Sequence, residues 1–122
     1  MSIVNLTVDT FEQTIKDGDI VLVDFWAAWC GPCRMFAPVF QAASQKHPDI
    51  VFGKVDTEAE PVLAAQEGIT SIPTLMIFRE NVLVYAEPGA LPGPALEKLI
   101  GAARALDMDA VRAQVAAHQT TS

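Results

Sequence analysis

Cysteine is scarce in this 122-residue chain: Cys30 and Cys33 are the whole complement. Two cysteines so close together make no structural framework, because closing so short a loop removes little entropy from the unfolded chain. A bond between them would serve chemistry rather than stability. Metal ligands are scarce too. A closed zinc site takes about four ligands, and only His47 and His118 add imidazole nitrogens, at a separation that fits no common zinc pattern. No metal site is expected. Positive charge is short, with 8 Lys and Arg against 15 Asp and Glu and a net charge of −7. That balance argues against nucleic acid or an anionic membrane as the main partner. No run approaches the roughly 18 apolar residues of a membrane span. The start, "MSIVNLTVDTFEQ", lacks a basic segment followed by a long apolar one, so no secretory signal is read. A cytoplasmic location is expected, and Asn5-Leu6-Thr7 is then a chance match to the glycosylation pattern.

What is present alternates between strand and helix patterns. Residues 3–8 read as a strand. Thr10 and Gln13 form a capping-box pattern for a helix that carries Phe11 and Ile15 on one face and ends at Gly18. Residues 20–26, "IVLVDFW", are a near-continuous apolar run, as a central strand covered on both faces requires. A helix from about Cys30 to Lys46 follows, with Phe36, Val39, Phe40 and Ala43 as its apolar stripe. Pro38 inside it removes the bond to the Arg34 carbonyl and predicts a kink, and His47-Pro48 stops it. Residues 50–55 are a strand, "TEAE" at 57–60 opens a helix that Gly68 closes, and residues 74–78 and 82–86 form an antiparallel hairpin. The last helix begins near Pro94, with Leu96, Leu99, Ile100 and Ala103 on one face. Met108, Val111 and Val115 continue a weaker stripe, and "QTTS" reads as a frayed end. Whether the helix breaks at Asp107 is left open by the pattern. The predicted order is βαβαβαββα, an α/β fold with a central mixed five-stranded sheet and helices on both faces. Strands joined by helices are expected to be parallel. No repeat or linker divides the chain, which has the length of one domain; residues 1–106 form its body and 107–122 a helical extension and tail of the same domain.

The stretch "DFWAAWCGPCR", residues 24–34, concentrates the chemistry. If the strand leads into a helix at Cys30, that sulfur meets the free N–H groups and positive end of the helix dipole, which stabilise a thiolate. Gly31 and Pro32 suit a first helical turn. Cys33, one turn inside, is more buried. Cys30 is therefore the attacking thiolate and Cys33 the resolving thiol in disulfide exchange. Cys33 must lose a proton, and Asp24 is the candidate base: strand alternation puts it with Leu22 and Trp26 in an apolar setting that raises a carboxyl pKa toward the useful range.

With these residues in place the chain resembles the thioredoxin family over roughly residues 3–106. "VLVDFWAAWCGPCR" matches the family's central strand and active site, Pro38 its helix proline, "GKVD" the strand whose lysine, here Lys54, lies near the buried aspartate. "SIPT" matches the loop whose proline, here Pro73, is cis and faces the cysteines, and "PGA" at 88–90 a glycine-containing loop on the same surface. The resemblance implies an apolar docking patch of Trp29, Gly31, Pro32, Ile72, Pro73, Gly89 and Ala90. It implies disulfide-containing protein substrates, no bound cofactor, and recharging by thioredoxin reductase with NADPH used indirectly; a monomer is the default expectation. Three features depart from the family: "REN" replaces a glycine turn in the hairpin, Pro88 replaces an apolar residue beside the substrate loop, and the tail runs past the family's compact length. Two other functions stay open: a binding module whose surface matters more than turnover, and an oxidase built from the same residues.

Overall fold

The structure is a computed structural model that describes residues 3–121, with side chains through His118. One five-stranded sheet runs in the order β1-β3-β2-β4-β5. β2 (Ile20–Trp26) is its centre and coincides with the apolar run. β3 (Val51–Asp56) lies parallel to β2, and β1 (Val4–Asn5) parallel to β3. β1 is shorter than the predicted 3–8. Leu6 still bonds Lys54, but Thr7 turns, its amide donating to the Thr10 hydroxyl.

That bond also accounts for the capping box. Thr10 is the N-cap of α1 (Phe11–Asp17) by position, yet its hydroxyl faces back to Thr7 and caps nothing in the helix. Gln13 reaches forward to Asp17 instead. α1 buries Phe11 and Ile15, as its pattern requires. α2 (Gly31–Lys46) takes Cys30 as N-cap and His47 as C-cap, with Pro38 inside, and α3 (Pro61–Gln66) starts later than the predicted 57. Asp56 is the reason: its carboxylate accepts the Glu58 and Ala59 amides and holds the first part of "TEAE" as a turn.

β4 (Thr74–Arg79) corrects a second expectation. It follows α3 but pairs antiparallel with β2. β3 ends at Asp56, in register with Trp26, and β4 begins at Thr74, in register with Phe25. The connection therefore returns to the sheet end it left, and the six-residue α3 is too short to carry the chain to the other end. This reversal sets Pro73 beside the cysteines. β5 (Val82–Pro88) completes the hairpin, with a bulge opposite Ile77 and Phe78.

Leu22, Phe36, Phe40, Phe52, Leu96 and Ile100 make one core, under α2 and α4 (Gly93–Ala105). Phe11, Ile15, Val21, Val23, Phe25 and Leu63 make the other, under α1 and α3. Gly53 in β3 is needed for the second: a Cβ there would meet Leu6 Cδ1 at 2.5 Å.

The C-terminal pattern resolves into a break. Leu106 ends α4, and α5 (Met108–Thr121) begins after Asp107, whose carboxylate accepts the Ala110 amide. The order is thus βαβαβαββαα among the described residues. The helix runs through Thr121, where a frayed end was expected; Ser122 lies outside the described residues. Met108 is buried, and the Arg112 guanidinium bonds Glu80 and Asp109. The hairpin turn is Glu80-Asn81, both at positive φ (51° and 66°), as a two-residue turn between twisted strands demands. Glu80 bears a conformation usually left to glycine, and its amide donates to the Asp19 carbonyl.

Candidate active site

β2 ends at Trp26, the chain turns through Ala27–Trp29, and α2 starts at Gly31, with Pro32 accepted in the first turn. Cys30 is held at this junction by two bonds. Its amide donates to the Ala27 carbonyl, and its sulfur accepts the Cys33 amide at 3.2 Å. A sulfur at a helix N-cap, receiving a backbone N–H, sits where negative charge is stabilised. Cys30 and Cys33 are joined as a disulfide, with Cα atoms 5.2 Å apart, and both are nearly covered, 4% and 3% exposed. Ala27, Trp26 and Ile72 pack around them.

The Ile72 carbonyl oxygen lies 3.7 Å from Cys30 Sγ. Ile72-Pro73 is the cis peptide bond that the family resemblance implied. Trp29 is 67% exposed next to the sulfur. An open groove of about 470 Å³ runs beside Cys30, walled by Trp29, Gly31, Pro32 and Ile72 and continuing along Thr57, Ala64 and Ile69–Ser71. Gly89 and Ala90 do not line it. Their loop is tied to the cis-proline instead: the Gly89 amide donates to the Pro73 carbonyl at 2.8 Å, and Gly89 takes φ +111°, open to glycine at little cost.

Asp24 and Lys54 are opposite each other in the β2–β3 register, with Nζ 3.8 Å from Oδ2. The carboxylate is fully buried and accepts no hydrogen bond from the protein. Burial raises its pKa from 3.8 to about 6, against the opposing pull of the Lys54 charge. The Lys54 ammonium also stands over the Trp26 ring, 4.9 Å from its centroid.

Thr57, Ala64, Ile69, Thr70 and Ser71 were not singled out by the sequence reading. The signal that finds them is topological: once β3 is parallel to β2 and β4 returns to the same end, residues just after β3 and just before β4 must flank the cysteines. Among the described residues no three His, Cys, Asp or Glu side chains gather as a metal site would need, and no helix is long and apolar enough to cross a membrane.

The thioredoxin family profile matches residues 2–102. A relative from Streptomyces coelicolor that carries the name thioredoxin 2 is 60% identical over 118 residues, 97% of this chain and 88% of its own length. The Porphyra purpurea thioredoxin is 44% identical over 102 residues, 82% of this chain and 95% of that one. The first alignment is long enough to take in most of α5. Among solved structures, mitochondrial thioredoxin 3 of Saccharomyces cerevisiae in its oxidised form superposes with a TM-score of 0.75 at 36% identity, covering 81% of this chain and 93% of that one. The family profile, these relatives and the Cys-Gly-Pro-Cys site at a strand–helix junction agree, and the chain belongs to the thioredoxin family, as a dithiol–disulfide oxidoreductase.

Proposed function

We propose that the protein reduces disulfides of other proteins in the cytoplasm, with Cys30 attacking and Cys33 resolving. The observation that carries this is the Cys30 sulfur, set at the N-cap of α2, bonded to Cys33 and bordered by an open groove. In the dithiol state the Cys30 thiolate attacks one sulfur of the substrate disulfide. The S–S bond breaks, the second substrate sulfur leaves as a thiolate, and a mixed disulfide to Cys30 forms. Cys33 then loses its proton and attacks Cys30 Sγ, and the first substrate sulfur leaves. Two electrons pass to the substrate, which takes up two protons, and Cys30–Cys33 is the oxidised product.

Asp24 is the group that draws the proton from Cys33. A carboxyl near pH 6 is a competent acceptor at neutral pH, and Lys54 keeps it from rising further. Trp29, Gly31, Pro32, Ile72 and Pro73 receive the substrate, with Gly89 and Ala90 extending the surface beyond Pro73. Thioredoxin reductase, drawing on NADPH, returns the disulfide to the dithiol, so no cofactor need be bound, and the working unit is a monomer. Residues 107–122 belong to the same domain; the buried Met108 and the Arg112–Glu80 contact support this.

The test is substitution of each sulfur. Cys33→Ser should still attack and stall as a mixed disulfide through Cys30, visible by mass spectrometry, while Cys30→Ser should form none at early times. Early trapping through Cys33 would reverse the roles. Full biological activity of the double Cys→Ser variant would instead make the protein a binding module.

A further inference from the structure

Trp29, the exposed wall of the groove, stands on a turn. The Cys30 amide donates to the Ala27 carbonyl at 3.2 Å and closes a turn over residues 27–30, with Ala28 and Trp29 at its centre. The chain is held firmly on either side. Before the turn, the Thr57 amide and hydroxyl both donate to the Trp26 carbonyl, at 2.9 and 3.0 Å. After it, the Cys30 sulfur accepts the Cys33 amide as the N-cap of α2. Trp29 itself is 67% exposed and makes no hydrogen bond among the described residues.

The closing bond of such a turn leaves the central peptide unit free to rotate. Here that unit joins Ala28 to Trp29. Its oxygen is the Ala28 carbonyl, and its N–H is the Trp29 amide. Because the unit is planar, holding the oxygen restricts the φ of Trp29 and so the direction its side chain takes. One side chain holds it: Arg34 Nη1 donates to the Ala28 oxygen at 2.9 Å.

The helix places Arg34 for this. Its amide donates to the Cys30 carbonyl at 3.2 Å in the first turn of α2, so its backbone is tied to that of the reactive cysteine. Its side chain reaches back toward the N-terminus of the helix, the direction that helical Cα–Cβ bonds take. Ala28 and Arg34 are both exposed, so their bond competes with water and adds little to the stability of the fold. Its effect is confined to the turn.

We infer that Arg34 is a positioning residue for substrate docking: through the Ala28 carbonyl it holds the peptide unit of Trp29, and so fixes the tryptophan wall beside Cys30. The inference rests on the reductase reading above. It gives Arg34 no contact with the reacting sulfurs, so a disulfide too small to reach Trp29 should not sense it.

The test uses the full chain, reduced, as wild type, Arg34→Met, Trp29→Ala and the double variant. Second-order rate constants are read at about 1 M salt, where the Debye length is about 3 Å and the loss of an exposed charge is screened. With insulin as the protein disulfide, Arg34→Met should be about threefold to fivefold slower than wild type. The same change made in Trp29→Ala should cost nothing further. With hydroxyethyl disulfide, a small neutral probe, Arg34→Met should match wild type. The backbone order parameter of the Trp29 amide, measured by NMR relaxation, should fall from about 0.85 toward about 0.6 in Arg34→Met, with that of Trp26 in β2 unchanged. An Arg34→Met variant as fast as wild type on insulin, an equal loss on the small disulfide, a loss that persists in the Trp29→Ala background, or an unchanged Trp29 order parameter would each overturn the assignment. A wild type that reduces hydroxyethyl disulfide but not insulin would overturn the reductase reading instead.

Discussion

The two ends of the sheet are held in opposite ways. Where β2 runs out, the chain leaves an open groove, an exposed Trp29 and a buried Asp24 whose carboxylate accepts no hydrogen bond from the protein. At the other end, where the β4–β5 hairpin turns, long charged side chains make several bonds each, although Arg79 Nε is also buried without a partner. The Arg79 guanidinium donates to the carbonyls of Ala103, Arg104 and Leu106, and so caps α4 and fixes the start of the tail. Glu80 holds Arg112, and Arg104 holds Asp49 in a two-pronged contact. The far end thus fixes its long side chains through backbone carbonyls and ion pairs, while the reactive end keeps a buried carboxylate with only Lys54 opposite it.

The sharpest way to break this contrast is at the sulfurs. Cys30→Ser should abolish disulfide reduction and leave the fold intact, as thermal unfolding against the reduced wild type would show.

Asp24→Asn comes next and should move activity and stability in opposite directions. On the proposed role of Asp24 as acceptor of the Cys33 proton, the variant should slow the resolving step at neutral pH by about tenfold or more, seen as accumulation of mixed disulfide. Stability should rise. The folded pKa of about 6 lies above the ordinary 3.8, so between these values the folded state binds more protons than the unfolded one. The wild type therefore loses stability as pH climbs from about 4 through about 6, by on the order of 3 kcal/mol in all. The variant should lack that slope and be the more stable of the two at pH 8. Chemical denaturation across pH 4–8 reads it directly.

At the far end the expected effects are structural only. Arg79→Met removes a charged donor from three carbonyls and should cost about 2–3 kcal/mol, with the rate toward a small disulfide unchanged. Arg112→Ala should cost about 1 kcal/mol or less, since its pairs with Glu80 and Asp109 are largely exposed and screened. A change of activity in either variant would show that the two ends are coupled.

The reactive end was the more legible of the two in the sequence. Cys30, Cys33, Asp24 and the strand 20–26 can be placed because each obeys a short-range rule: spacing, alternation, or an apolar run of strand length. Lys54, Pro73 and the Gly89 loop needed the family resemblance, since nothing in their neighbours says what they face. The direction of β4 was misread because a connection that turns back and one that crosses over contain the same kinds of residues; only the shortness of α3 separates them. The capping box failed because Thr10 had a competing partner in Thr7. The clamp at the far end was invisible, because Arg79, Glu80 and Arg112 meet across 32 residues of chain and no local pattern joins them.

The central claim is that Cys30 and Cys33 form a reversible, strongly reducing couple. Equilibration against glutathione or dithiothreitol buffers, followed by the fluorescence of Trp26 and Trp29, tests it most directly. The account predicts one two-electron transition at a potential more reducing than the glutathione pool. A strongly oxidising potential would make the protein a disulfide donor, and the absence of any reversible transition would contradict the account outright.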